Sequence, residues 1–236
     1  MSIESKHLTK TYGKKTAVQD ISLTLEPGLV YAMLGPNGSG KTTWMKMAAG
    51  LVKPDSGEIL YNGSSVGVES KKEVAYMSTE PYFYSWMTAK GIGKYYEDFF
   101  DDFSMDTYRQ MLSRMELTED MKAQKMSSGM MAKLKIAVTM SRKAKVYLLD
   151  EPLNGIDLLA RDEIMRSILE AMAPDVTLVV SSHLLEELEK VTDAAIFMKD
   201  SCLAGQYMAE ELRISQNKSL VDVYREIYGH GGETEC

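Results

Sequence analysis

Residues 29–50 read LVYAMLGPNGSGKTTWMKMAAG, and three changes of texture within them decide the fold. Leu29 to Leu34 is a short apolar run that follows the Pro27-Gly28 turn, the right length for a buried strand. It empties into Gly35-Pro36-Asn37-Gly38-Ser39-Gly40-Lys41-Thr42-Thr43, and Lys41 to Ala49 then offers good helix formers that stop at Gly50. Strand, glycine loop and helix in this order satisfy the phosphate-loop pattern. The chemistry explains the residue types. Several backbone N–H groups must turn inward around a β-phosphate, which small residues permit, and the helix N-terminus adds partial positive charge. Lys41 then bridges the β- and γ-phosphate oxygens, and the Thr42 hydroxyl binds Mg²⁺. ATP or GTP is the expected ligand.

Upstream of the loop, Ile21, Leu23 and Leu25 alternate, so residues 1–34 are expected as short strands. Ile59 to Tyr61 with Asn62-Gly63 reads as hairpin material. Downstream, Tyr95, Tyr96, Phe99, Phe100 and Phe103 recur at three-to-four spacing, as do Tyr108, Met111, Leu112 and Met115, which predicts a helical insert. Val146 to Leu149 ends in Asp150-Glu151-Pro152, and Val176 to Val180 ends in Ser181-Ser182-His183. Both are buried parallel-strand candidates, separated by a helix carrying Ile164, Ile168 and Met172. A last helix places Leu220, Val223, Tyr224 and Ile227 on one face, with Ser219 and Asp222 at its start and Gly229 at its stop. The residues after it, 230–236, are expected to be a disordered tail.

The 236 residues carry 27 Lys+Arg and 34 Asp+Glu, a net charge of −7, which argues against a nucleic-acid partner. The longest charge-free stretch, Pro27 to Gly40, is broken by proline and glycine and is too short to span a bilayer. Residues 1–10, MSIESKHLTK, have neither an apolar core nor a small-residue cleavage site, so no secretory signal is expected. Cys202 and Cys236 share no metal-type or redox-type spacing, so they read as isolated thiols of a reducing compartment. The 18 methionines fit gap-filling in the core.

Taken together, GPNGSGKTT (35–43), MSSGM (126–130), VYLLDEP (146–152), LNGID (153–157) and SSH (181–183) resemble the nucleotide-binding subunit of an ATP-binding cassette (ABC) transporter, over about residues 3–200. The resemblance implies an α/β fold with a P-loop core of mostly parallel sheet flanked by helices, an N-terminal antiparallel β region and an inserted α-helical subdomain. Residues 1–230 would form one ATPase domain, with 1–85 and 146–215 as core and about 86–145 as the helical part. Tyr12 would stack on adenine. Gly35, Asn37, Gly38, Ser39, Gly40, Lys41, Thr42 and Thr43 would hold the phosphates, and Thr42 and Asp150 the Mg²⁺. Glu151 would orient or deprotonate the attacking water, and His183 would contact the γ-phosphate. Ser127, Ser128 and Gly129 would reach the ATP bound by a second subunit, and Asp157 would lie across that boundary.

The implied partners are a second ATPase subunit, identical or related, and an integral membrane permease, with the chain cytoplasmic and peripheral at the inner face of the membrane. The motif set and compact tail look most like bacterial exporter cassettes for drugs, antimicrobial peptides or lipids. A soluble, non-transport ABC ATPase is the alternative.

Two departures matter. The family pattern Leu-Ser-Gly-Gly-Gln is here Met126-Ser127-Ser128-Gly129-Met130. Where the family has a glutamine that reaches Mg²⁺ and the attacking water, Thr79 stands with Glu80 beside it. Either water bridges the gap, Glu80 substitutes, or the metal coupling is slack. The loop that follows, residues 81–87, holds four aromatics, expected either as packing between core and insert or as a permease contact.

Overall fold

The computed structural model describes residues 2–80, 82–183 and 185–229. Strands β1 (Ile3–Tyr12) and β2 (Lys15–Leu25) pair antiparallel. They are longer than the short strands expected, because their solvent-facing Lys, Thr and Ser positions interrupt any apolar run. β3 (Val30–Leu34) ends at the phosphate loop, and α1 (Lys41–Ala48) follows it. β4 (Ser56–Tyr61) and β5 (Ser64–Ser65) form the expected hairpin. Its Asn62 and Gly63 sit at φ 51° and 76°, the positive values that an Asn-Gly turn of type I′ requires. β2, β1, β4 and β5, in that order, make one antiparallel sheet.

Helix α2 (Val68–Glu73) leads into β6 (Val74–Met77). The insert contains α3 (Ala89–Phe99), α4 (Met105–Arg114), a 3₁₀ turn at Ala123–Lys125 and α5 (Ser128–Met140). Thr88 and Ser104 cap α3 and α4 by accepting hydrogen bonds from the N–H groups of Gly91 and Thr107. The aromatic run is therefore not one helix. Phe100 and Phe103 lie past the end of α3, with Tyr96 packed against both at 5.4 and 5.8 Å between ring centres.

The chain then adds β7 (Val146–Asp150), α6 (Leu158–Glu170), β8 (Thr177–Ser182), α7 (Leu185–Leu188), β9 (Ala194–Lys199), β10 (Cys202–Met208), α8 (Ala209–Gln216) and α9 (Leu220–Gly229). The second sheet has the order β10-β9-β3-β8-β7-β6, parallel except for β10. Its strands alternate between two cores. Tyr31, Met33, Leu148 and Val179 face α1 and the antiparallel sheet, where Trp44 is fully buried, while Ala32, Leu34, Leu149 and Val180 face the insert and the C-terminal helices. Methionines fill both cores, among them Met33, Met45 and Met47 in one and Met111, Met115 and Met140 in the other.

Ser219 and Asp222 form a reciprocal box at the start of α9. The tail expected to be disordered lies outside the described residues. Cys202 is buried and is not the free thiol expected, and Cys236 lies outside the described residues. Among the described residues, no helix is long and apolar enough to cross a membrane.

Arg142 ties the insert to the core. Its Nε donates to both carboxylate oxygens of Asp102 at 3.1 and 3.2 Å, and its Nη2 to the carbonyls of Lys71 and Lys72 at the end of α2. The guanidinium lies 4.2 Å from the centre of the Phe100 ring. Removing it would leave a half-buried carboxylate and several carbonyls without their donor. Arg142→Ala should therefore destabilise the chain by about 2–4 kcal/mol, read as a lower urea midpoint at unchanged m-value. A change below about 0.5 kcal/mol would show that the cluster contributes no more than an exposed pair.

Candidate active site

The carboxyl ends of the central parallel strands meet at one edge, where α/β sheets bind ligands. Register does the assembly: Leu34 pairs with Ser182, Ser181 with Asp150, and Leu149 with Met77. Above this edge is a cavity of about 460 Å³ that brings together Tyr12, the loop and helix start from Asn37 to Thr43, Thr79, Glu151 and His183. Lys15, Ala17 and Asn154 also line it, and only tertiary structure could show that they do.

The loop can follow its path only with glycine at two points. Gly35 and Gly40 have φ of 151° and 106°, and a Cβ there would be driven into the carbonyls of Met198 and Ala17. Lys41 is 5% exposed, and its Nζ donates to the carbonyl oxygens of Gly35 and Pro36 at 2.7 and 3.2 Å. Burial pulls its pKa below the ordinary lysine value, against the opposing pull of Glu151 and Asp150. Thr42 and Thr43 follow in the first turn of α1 and reach the same cavity.

Asp150 is fully buried at the end of β7. Its Oδ1 accepts from the Ser181 hydroxyl at 2.7 Å and its Oδ2 from the Tyr76 hydroxyl at 3.3 Å. Burial and the Asp150 charge raise the Tyr76 pKa, so that phenol remains a neutral donor. Glu151 has a φ of 49°, uncommon for a residue with a side chain, and its N–H donates to Ser181 Oγ at 2.8 Å. Ser181 thus seats both carboxylates, a role that the sequence reading missed and that only strand register reveals. Glu151 Oε2 lies 3.0 Å from His183 Nδ1, and Oε1 lies 3.8 Å from Lys41 Nζ. Two buried polar atoms at this cavity, Ser39 Oγ and Glu151 Oε1, have no hydrogen-bond partner among the described residues. Such atoms mark a place where a ligand or water completes the bonding.

Tyr12, at the end of β1, is half exposed, with Lys10 Nζ 5.5 Å from its ring centre. Thr79 faces the cavity. Glu80 does not: its carboxylate turns away to pair with Lys46 Nζ at 3.1 Å. The signature residues also stand apart from it. Ser127 caps α5 by accepting from the Met130 N–H at 3.2 Å, and neither Ser127 nor Gly129 lines the P-loop cavity. A Cβ on Gly129 would approach the Gly155 carbonyl to 2.7 Å, so this glycine is fixed by packing. Ser128 lies against Gly155 and lines a second cavity of about 370 Å³ that shares Thr79, Glu151 and Asn154 with the first. Asp157 caps α6 by accepting from the Leu159 N–H at 3.1 Å, outside both cavities.

Among the described residues, no group of three or more His, Cys, Asp or Glu side chains could cage a metal. Thr42 and Asp150 suit instead an ion whose shell is completed by phosphates and water, which is how Mg²⁺ is usually held.

Residues 18–154, more than half of the chain, match the ABC transporter family. The ABC transporter ATP-binding protein YcbN of Bacillus subtilis, of uncharacterised function, is 33% identical over 94% of this chain and 74% of its own length. The lantibiotic transport ATP-binding protein SrtF of Streptococcus pyogenes is 31% identical over 81% of this chain and 84% of its own length. A solved ATP-binding subunit of an ABC transporter superposes with a TM-score of 0.84, covering 96% of this chain and 99% of its own at 24% identity. The cassette architecture is therefore common to both folds. With a phosphate loop, a buried aspartate and an adjoining glutamate at one sheet edge, and with relatives that match up to 94% of its length, this protein belongs to the ABC transporter family as an ATP-binding subunit and is an ATPase.

Proposed function

We propose that two copies of this chain, or one copy and a related subunit, close head to tail around two ATP molecules and drive export through a separate permease at the inner face of the membrane. One observation carries the reading: Ser127 and Gly129 stand at the N-terminus of a thirteen-residue helix, outside the P-loop cavity of their own chain. A helix N-terminus is suited to a phosphate, and a second subunit supplies one. The relationship to a lantibiotic transport protein favours export.

In this reading Tyr12 stacks on adenine, the glycine loop wraps the β-phosphate, and Lys41 leaves the loop carbonyls for the β- and γ-oxygens. Thr42 and Asp150 would hold Mg²⁺, which would supply positive charge against the phosphates. Glu151 takes a proton from the attacking water, and His183 keeps its carboxylate turned toward that water. Asp157 acts at the subunit boundary, and Thr79 rather than Glu80 is the one of that pair that faces the nucleotide.

Light scattering tests the dimer. The full chain carrying Glu151→Gln should run as a dimer in Mg-ATP and as a monomer without it. A monomer in both conditions, with ATP bound, would overturn the head-to-tail arrangement. Export is tested by expressing the chain with the membrane protein encoded beside it. Copurification and stimulated hydrolysis are expected, and independence from any membrane protein would favour a soluble role.

Mg-ATP at about 100 times its dissociation constant should stabilise the fold by about 2.7 kcal/mol. For a chain of this size the melting temperature then rises by about 5–10 °C. A melting curve unmoved by saturating Mg-ATP would remove the phosphate loop from nucleotide binding.

A further inference from the structure

Lys135 lies two turns into α5 and is only 5% exposed, and among the described residues it has no carboxylate in ion-pair contact. Its ammonium donates instead to three successive carbonyls just past the end of β6: Ser78 at 3.1 Å, Thr79 at 2.8 Å and Glu80 at 2.8 Å. All three ammonium protons are thereby used. The Tyr82 ring centre is 5.3 Å from the same nitrogen. Burial lowers the Lys135 pKa, and the nearby Glu80 and Asp150 oppose that shift. A buried cation with every proton aimed at one short backbone segment is a costly way to fill space, where an apolar side chain would serve.

The segment it holds is the one that departs from the family. Thr79 faces the nucleotide cavity, and with Lys135 and Glu151 it also lines the second cavity beside the signature helix. We propose that Lys135 is a positioning residue for hydrolysis: from the signature helix it fixes the backbone of residues 78–80 and so the place of Thr79 beside the attacking water. A threonine has little reach, so its contribution depends on where its backbone is held. The same helix is capped by Ser127, so Lys135 makes the signature serine and Thr79 one rigid unit across a gap of 48 residues in sequence. The inference deepens the ATPase reading of the site and rests on it.

The test uses the full chain, with ATPase rates measured over ATP and Mg²⁺ concentration. Lys135→Met keeps the stem and removes the three donors. It should lower kcat by about 10²-fold, the loss typical of a catalytic group displaced by an ångström, with fluorescent-ATP affinity and KM within about twofold of native. Lys135→Gln, which retains two donors, should lie between, and it replaces the methionine variant if that variant does not fold. Coupling separates positioning from simple stabilisation. Thr79→Ala should slow the native chain but change nothing further in the Lys135→Met background.

An unchanged kcat in Lys135→Met, no effect of Thr79→Ala on the native chain, or independent multiplication of the two effects would each overturn the proposal. A native chain that binds but never hydrolyses ATP would count against the ATPase reading itself, and it would be seen before any variant is compared.

Discussion

Glu151→Gln should bind ATP as tightly as the native chain while hydrolysing it about 10²–10⁴-fold more slowly, the contribution expected of a positioned general base. The prediction follows from how this carboxylate is held. Its backbone has the positive φ of 49°, which costs energy, and Ser181 Oγ supports it by accepting its N–H at 2.8 Å. That twist carries the side chain away from the buried Asp150 and toward His183, whose Nδ1 is 3.0 Å from Oε2. Oε1 is left buried without a hydrogen-bond partner at the wall of the nucleotide cavity.

An amide keeps the shape and can still bond His183, but it is not a proton acceptor at neutral pH. Binding, which in the proposed arrangement rests on the loop and Lys41, should survive. The comparison to make is single-turnover hydrolysis against fluorescent-ATP affinity in the same preparation. Near-native turnover with native affinity would take Glu151 out of the chemistry, and a parallel loss of both would mean that it holds the nucleotide instead.

The phosphate loop and the ends of β7 and β8 were legible in the sequence because buried parallel strands are continuous apolar runs, and polar residues at their ends stand out. The lengths of β1 and β2 were not, because one solvated face breaks each run with Lys, Thr and Ser. β9 is not legible either: Ala194 to Met198 is apolar but mixes two alanines with Ile, Phe and Met, and no motif follows it.

The site shows the same division. Lys41, Asp150, Glu151 and His183 could be named from motif order, and the structure brings all but Asp150 to the wall of one cavity, with Asp150 beneath it. Ser181 and Lys135 act on residues 30 to 57 positions away, through strand register and helix packing that local spacing does not encode. Thr79 and Glu80 could not be told apart, since which of two adjacent side chains faces the cavity depends on how the chain leaves β6. The Lys46 ammonium on α1, which draws Glu80 outward, is part of that answer.

Lys41→Ala should lower ATP affinity by about 10²–10⁴-fold, because two charge-assisted bonds to the β- and γ-phosphates are worth about 1.5–3 kcal/mol each. Unchanged affinity in a folded Lys41→Ala chain would dismiss the phosphate-loop reading. Acidity gives an independent check on the same group. Burial lowers the Lys41 pKa in the folded chain, so in the window between that lowered value and the ordinary 10.5 the unfolded chain binds more protons than the folded one. This group's contribution to the stability of the nucleotide-free fold therefore rises with pH through that window.

ATP affinity must move the other way. Only the ammonium pairs with phosphate, and the proton is lost at a lower pH than from an ordinary lysine, so affinity falls across the same window and binding there takes up a proton. The melting shift produced by a fixed Mg-ATP concentration should shrink as pH rises. Lys41→Met, which cannot titrate, should show a small shift with no such slope. A native shift constant across the alkaline range would mean that Lys41 is not the cation on the phosphates.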